Sequence, residues 1–161
     1  MKYISILLLS LVFSAKAQKP EIEKLLNDWH KAAADVKFDA YFGAFTKDAV
    51  YIGTDAAENW KVDAFKAWAK PYFDKGTTWN FKAVERNIFI SADGKFAWFD
   101  ELLDTQMKLC RGSGVLRKED GKWKIAHYVL SMTVPNDNLE EVVAAKQKIE
   151  DAYLQNVKSK K

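Results

Sequence analysis

The sequence predicts an α+β fold in which helices line a curved sheet that encloses a pocket. The strongest evidence is the segment 78–135, which reads as four long strands rich in β-branched and aromatic residues. Two Asp-Gly pairs, Asp93-Gly94 and Asp120-Gly121, are typical of tight turns between antiparallel strands. Upstream, three helical patterns carry Trp and Phe on one side and need a sheet to pack against.

The N-terminal half predicts helices around one short strand. The helices are expected at residues 22–36, 38–45 and 62–73, and the strand at residues 48–53. Pro20 suits the first turn of the first helix, where its missing amide hydrogen has no partner to lose. Pro71 is expected to kink or break the third helix, and Gly76 to end it.

The C-terminal half predicts the sheet and a closing helix. Strands are expected at residues 79–90, 96–104, 112–118 and 123–133. Pro135 stops the last strand. Asn138, followed by Glu141, is a candidate N-cap for the closing helix. The apolar residues of that helix are Leu139, Val142, Val143, Ile149, Tyr153 and Val157.

The first 17 residues predict a secretory signal peptide. Lys2 precedes an almost wholly apolar segment at residues 4–13, and Ala15-Lys16-Ala17 is a small-x-small cleavage site. The alternative is an uncleaved anchor, but the apolar segment is shorter than the roughly 20 residues that cross a bilayer. We therefore expect export to the periplasm or the medium, with no stable membrane insertion after cleavage and residues 18–161 forming a single domain.

The composition disfavours several classes of partner. Without the signal peptide, 23 Lys and Arg stand against 22 Asp and Glu, and basic residues cluster only at residues 158–161, so nucleic acid is not an expected partner. Cys110 is the single cysteine, expected to be an inert thiol at a strand edge. His30, beside Glu23 and Asn27 on the polar side of the first helix, is expected to be solvated. With two histidines and no phosphate-binding glycine loop, we expect no metal and no cofactor.

Three segments resemble the SnoaL-like branch of the nuclear transport factor 2-like superfamily. They are WHKAA from Trp29, FTKDAVYIG from Phe45, and DGKWKIAH from Asp120 continuing to Ser131. The resemblance extends over the mature chain to Pro135, and the C-terminal helix is less typical of the family. It implies a cone-shaped α+β fold, in which a curved mixed or antiparallel sheet wraps around the N-terminal helices. It also implies a pocket open at one end and frequent homodimers formed through the outer sheet face.

The family's isomerase relatives imply a catalytic aspartate directly after the first strand and a tyrosine that stabilises an oxyanion. Here Gly53 stands at that place and Asp55 two positions later, so Asp55 and Tyr51 do not inherit those roles. The SnoaL-like branch often carries a histidine two residues before the position of Ser131, where this chain has Val129. The resemblance therefore transfers the fold without a catalytic residue.

Side-chain alternation along the strands predicts which polar residues enter the cone. His127 and Ser131 share one face of the last strand, and Arg111 and Ser113 share one face of the strand before it. Together with Glu101, these side chains are expected to converge inside. A β-bulge in a strand would turn the side chains that follow it to the opposite face.

Glu101 and His127 are the candidate general bases of this predicted cluster. Burial among aromatic rings would raise the pKa of Glu101 towards a useful range, whereas Arg111 would oppose that rise or bind an anionic ligand. His127 could exchange protons near neutral pH. The alternative is a satisfied polar network, in which Glu101 is bridged to Arg111 with His127 hydrogen-bonded beside them.

Two main functions remain open. The first is a non-catalytic module that holds a small apolar or amphipathic molecule, and the second is an isomerase, cyclase or lyase that uses Glu101 or His127 on a carbonyl compound. A weaker third is a structural dimerisation module with a filled core. The predicted ligand pocket comprises Trp29, Tyr51, Trp60, Trp68, Phe99, Glu101, Arg111, Ser113, His127 and Ser131.

Overall fold

The computed structural model describes the backbone of residues 3–160 and the side chains of residues 18–160. The predicted signal peptide, residues 1–17, lies outside the residues whose side chains are described. Among the described residues, no helix has an apolar stretch long enough to span a bilayer. The elements are α1 (Tyr3–Ala34), α2 (Phe38–Gly43), β1 (Phe45–Ile52), β2 (Asn59–Lys61), α3 (Val62–Asp74), β3 (Lys82–Ile90), β4 (Phe96–Thr105), β5 (Lys108–Glu119), β6 (Lys122–Met132) and α4 (Leu139–Ser159).

The strands form one mixed six-stranded sheet in the order β2-β1-β6-β5-β4-β3. Neighbouring strands are antiparallel except β1 and β6, which are parallel. Helix α2 contacts both α1 and α3, and all three helices contact the sheet. The buried apolar residues between these layers form one core. This arrangement confirms the predicted α+β fold, with N-terminal helices held by a curved sheet and a helix at the C-terminus.

Pro20 and Pro71 both lie inside helices, contrary to the sequence-based expectation. α1 begins before Pro20, and α3 continues through Pro71 to Asp74 without a break. We attribute the continuity of α3 to its buried face, because tertiary packing stabilises a helix more than intrinsic propensity does. Gly76 ends the segment as predicted: its φ is +68°, and the amide of Thr77 donates to the carbonyl of Tyr72 at 3.0 Å.

The C-terminal helix forms where it was predicted, but none of its residues is buried. Asn138 occupies the N-cap position, and its side-chain amide donates to Glu141 at 3.3 Å. No residue of α4 is buried, so its apolar side chains stay largely exposed. One tertiary contact is the hydroxyl of Tyr153, which donates to the backbone carbonyl of Ala56 at 3.2 Å. This bond ties α4 to the loop between β1 and β2.

A β-bulge in β6 decides which side chains point inward. Leu116 of β5 pairs with Ile125, whereas Val115 pairs with His127, so Ala126 is an extra residue in β6. Because of this extra residue, the inward positions of β6 pass from Ile125 to Tyr128, three residues later. The strand therefore changes its alternation just before His127.

Candidate functional site

The predicted polar cluster does not converge, because only one of its members points into the core. Glu101 is fully buried, as the alternation along β4 predicted. His127 and Ser131 lie beyond the β6 bulge, which turns them to the outer face. Arg111 and Ser113 also face outward. The expectation that these side chains meet inside the cone is wrong for all of them except Glu101.

Glycine, rather than Arg111 or Ser113, occupies the inner face of β5, and the reason is space. A Cβ atom on Gly112 would overlap the Tyr128 hydroxyl and lie 2.9 Å from the Glu101 carboxylate. The Glu101 and Tyr128 side chains thus fill the volume that a β5 side chain would need. The polar members of the strand are left on the outer face, where Arg111 pairs with Ser131 across the strands.

Glu101 is held by a buried polar cluster that contains none of its predicted partners. The cluster consists of Glu101, Arg86, His30 and Tyr128. Arg86 Nε donates to Glu101 Oε2 at 2.8 Å, and Arg86 Nη2 lies 2.7 Å from the same oxygen as an ion-pair contact. The other oxygen, Oε1, is 2.8 Å from His30 Nε2 and accepts a hydrogen bond from the Tyr128 hydroxyl at 3.0 Å.

Helix α1 contacts this cluster through a polar stripe formed by Glu23, Asn27 and His30. Arg86 Nη1 bonds to the carboxylate of Glu23 at 2.9 Å and to the side-chain oxygen of Asn27 at 2.8 Å. His30, one turn further along the helix, is only 5% exposed, so the prediction that it is solvated is wrong. The stripe is polar because it meets the buried Arg86–Glu101 pair, with the Arg86 side chain only 2% exposed.

The cluster holds Glu101 as a carboxylate. Burial acts to raise the pKa of Glu101, but the hydrogen bond from His30 and the charge of Arg86 outweigh it and lower the pKa below its usual value. The pKa of Tyr128 is raised well above its usual value, first by burial and then by the adjacent Glu101 charge. A carboxylate that is paired on both oxygens and lies at 0% exposure is a weak general base.

The sequence contained a signal for Arg86. The β3–β4 hairpin is centred on Asp93-Gly94, so counting outward from the turn pairs Arg86 with Glu101, as the register confirms. A charged residue opposite a predicted buried acid is the partner that burial demands. Tyr128 gave no comparable signal, because its inward direction depends on the bulge at Ala126.

A separate aromatic pocket lies beside α3 and β2. It has a volume of about 140 Å³. Its walls carry aromatic rings from β1, β2, α3 and the segment before β3. The lining residues are Tyr51, Gly53, Thr54, Glu58, Trp60, Phe65, Trp68, Trp79, Phe81, Gln106 and Leu130. Of the predicted pocket residues, Tyr51, Trp60 and Trp68 lie here.

The remaining predicted pocket aromatics do not line this pocket. Trp29 and Phe99 are each 2% exposed and belong to the core. Trp29 packs edge-on against Tyr128, with ring centroids 4.7 Å apart. Wider grooves lie on the surface, such as one of about 530 Å³ beside Pro20 and Arg86, but their walls mix charged and apolar groups and they are more open. The aromatic pocket is the best-defined candidate for a ligand site.

The rings of the aromatic pocket are stacked in nearly parallel planes. Tyr51 and Phe65 are 4.0 Å apart at 11°, and Phe65 and Trp60 are 5.6 Å apart at 20°. Trp60 and Trp68 are 5.0 Å apart at 29°. The Trp68 ring remains 41% exposed, so this part of the aromatic wall meets solvent. Mutual stacking restrains these rings and presents them as a preformed wall.

The acidic side chain of Glu58 lies at the edge of this wall. Its carboxylate accepts a hydrogen bond from the amide of Asp55 at 3.2 Å. It also lies against Gly53, where any Cβ atom would overlap it. Burial raises the pKa of Tyr51, and the negative charge of Glu58 acts in the same direction. Glu58 and Trp79 were not among the predicted site residues.

The buried cluster and the pocket are neighbours but chemically separate. Tyr51, which lines the pocket, stacks on Tyr128 of the cluster with centroids 5.6 Å apart. Phe81, another lining residue, contacts His30 edge-on at 6.1 Å. Neither Glu101 nor Arg86 lines the pocket. The arrangement therefore places fixed charges behind an aromatic wall, where they support it without reaching a ligand.

Comparisons with known proteins agree with this architecture. The family model described as a SnoaL-like domain matches residues 22–135. An NTF2-like protein of unknown function from Pseudomonas putida KT2440 has a similar structure, with a TM-score of 0.64, 19% identity, and coverage of 76% of this chain and 92% of that one. A search of curated proteins by sequence finds no match.

A second similar structure carries a provisional assignment as a scytalone dehydratase. It comes from Novosphingobium aromaticivorans DSM 12444, with a TM-score of 0.64 and 15% identity, covering 76% of this chain and 89% of that one. At these identities the structural likenesses concern the fold alone.

Proposed function

Because the chain belongs to the SnoaL-like domain family, we propose that it is an exported protein that binds a small apolar or amphipathic molecule in the aromatic pocket. The observation that carries the proposal is the preformed pocket of about 140 Å³ lined by Tyr51, Trp60 and Trp68. An engineered apolar cavity of about 150 Å³ accommodates benzene, so the volume suits one ring or a compact branched group. Larger ligands would extend past Trp68 into solvent.

Binding is favoured over general-base catalysis by the positions of the two candidate bases. Glu101 has both oxygens occupied by buried partners, and His127 lies on the outer face of the sheet. A dehydratase, the provisional assignment of one structural neighbour, needs a base that reaches its substrate. Glu101 does not line the aromatic pocket, and its lowered pKa disfavours proton abstraction.

A thermal-shift screen tests the proposed binding. Small single-ring and branched compounds, including carbonyl compounds, are screened with the wild-type protein and with Trp60→Leu. A ligand of the native state raises the apparent stability of the wild type, and this shift should disappear in Trp60→Leu. Ile149→Ala is the control, since Ile149 of α4 is 73% exposed and does not line the pocket. Equal shifts in all three proteins would contradict binding in this pocket.

The proposed export rests on the sequence of residues 1–17. Intact-mass measurement of protein recovered from the periplasm and medium of a bacterial host tests it. The mature chain is expected to begin at Gln18 and to contain 144 residues. Cleavage there would leave Pro20 in the first helical turn, where a missing amide hydrogen costs little. Recovery of only the uncleaved chain with the cells would contradict export.

The proposed homodimer rests on the outer face of the sheet. Phe89, Trp98, Val115 and His127 form one row across four strands, because each is the register partner of the next. Phe89 is 46% and Trp98 50% exposed, and their rings stack at 5.8 Å. Light scattering after size exclusion should give a dimer for the wild type and a monomer for Trp98→Glu. A monomeric wild type would contradict the proposal.

A further inference from the structure

The aromatic pocket combines electron-rich ring walls with a single negative charge. Trp60, Trp68 and Trp79 contribute indoles, the ring type that attracts cations most strongly through its face. Glu58 is the acidic member of the lining, and no lysine, arginine or histidine is among the described residues that line the pocket. The described lining therefore carries one carboxylate and no positively charged side chain.

We propose that the ligand is an organic cation with a compact alkylated ammonium group, held by the Trp60 and Trp68 rings and the Glu58 carboxylate. This inference rests on the proposed function and specifies its ligand class. A trimethylammonium group is apolar at its surface and positively charged, so it matches both the aromatic wall and the carboxylate. Its size suits a cavity of about 140 Å³.

The loop between β1 and β2 holds the charge in place. Gly53 donates its amide to the carbonyl of Glu58 at 2.9 Å, which closes the loop. The Glu58 carboxylate occupies the space beside Gly53 that a side chain at position 53 would fill. It also accepts a hydrogen bond from the amide of Asp55. Tyr153 of α4 holds the same loop through the carbonyl of Ala56. A carboxylate held in this way binds a cation with little loss of side-chain entropy.

A neutral ligand of the same shape would form fewer favourable interactions with the pocket. It would contact the rings, but it would leave the Glu58 carboxylate without an opposite charge. Glu101, the carboxylate of the neighbouring buried cluster, is neutralised by Arg86 and lies behind Tyr128 and Tyr51. The charge preference of the pocket is therefore set by Glu58.

Choline and its neutral isostere 3,3-dimethylbutan-1-ol test this inference. The two molecules have the same shape and hydroxyl group and differ in whether the central atom of the branched group is charged nitrogen or carbon. Affinities for the full protein are measured by calorimetry, with tryptophan fluorescence as a second readout. We expect choline to bind about tenfold more tightly or better, as a partly desolvated cation–π contact and a carboxylate predict.

Two variants test which side chains cause the preference for choline over the neutral alcohol. Glu58→Gln should weaken choline binding about fivefold to tenfold and leave the neutral alcohol unchanged, because the amide keeps the shape and loses the charge. Glu119→Gln is the control and should change neither affinity, because Glu119 lies at the C-terminal end of β5 and does not line the pocket. Trp68→Phe should weaken choline more than the alcohol, since the face of Phe attracts cations less strongly than that of Trp.

The outcomes separate this inference from the proposed function. Equal affinities, or tighter binding of the neutral alcohol, would overturn the cation preference while leaving small-molecule binding in the pocket supported. Absence of binding by both probes would also overturn the cation preference, and the Trp60→Leu thermal-shift screen would then decide the proposed function by itself. Tight choline binding that Glu58→Gln leaves unchanged would contradict the assigned role of the carboxylate.

Discussion

Replacing Arg86 by Met would leave the Glu101 carboxylate buried beside a neutral side chain of similar length. The substitution removes the Nε hydrogen bond at 2.8 Å and the Nη2 contact at 2.7 Å, which are the described partners of Glu101 Oε2. His30 and Tyr128 remain on Oε1. Breaking a buried pair by removing one partner costs about 3–5 kcal/mol, because the other charge remains without compensation.

This loss is large compared with the stability of an ordinary domain, which is about 5–15 kcal/mol. With an m-value of about 2 kcal/mol/M, the urea midpoint of Arg86→Met should fall by about 2 M at pH 7. Circular dichroism during urea titration measures it. Arg117→Met is the matched control, because Arg117 pairs with Asp48 and Glu119 at the surface and its loss should lower the unfolding free energy much less.

The double variant Arg86→Met/Glu101→Gln supplies the second arm of this experiment. Removing the carboxylate together with its partner abolishes the uncompensated charge, so at least about 2 kcal/mol of the loss should return. If Arg86→Met costs no more than Arg117→Met, Glu101 is not maintained as a buried carboxylate by Arg86. The electrostatic description of the cluster would then be wrong.

Three further outcomes follow from the same cluster. The lowered pKa of Glu101 contributes stability that is present above its usual value of 4.5 and is lost as the pH falls below it, so Glu101→Gln should flatten the acid limb of the unfolding free energy against pH. Tyr128→Phe should cost about 1.5–3 kcal/mol in urea unfolding, since it removes a hydrogen bond to a buried charge; an unchanged midpoint would contradict that bond. Gly112→Ala should cost about 1–3 kcal/mol through overlap with Tyr128, whereas Gly43→Ala, which meets nothing within 4 Å, should not destabilise the protein by calorimetric melting.

The fold could be predicted from the sequence because the turn and strand patterns were local and agreed with one another. Two Asp-Gly turns and the long strand patterns defined the hairpins, and the structure places both turns where they were expected. The short strand β2 was missed, since three residues are too few to show alternation. Pro71 was misread because local propensity contains no information on the core that the helix covers.

The interior of the site was harder to predict, because it depends on registers between strands. One extra residue at Ala126 moved His127 outward and Tyr128 inward, and a bulge leaves little trace in alternation counted along a single strand. His30 was assigned to solvent for a related reason. Its polar neighbours Glu23 and Asn27 suggested an exposed stripe, whereas they bind Arg86 of β3.

The indole N–H signals of the tryptophans test most directly whether ligands bind in the aromatic pocket. The chain has six tryptophans: Trp60, Trp68 and Trp79 line the pocket, Trp29 and Trp123 are in the core, and Trp98 is on the outer face. In ¹⁵N-labelled protein titrated with choline, and separately with phenol, the three pocket indoles should shift while the other three stay fixed. Shifts confined to Trp29, Trp98 or Trp123 would contradict the account, because binding would then lie outside this pocket.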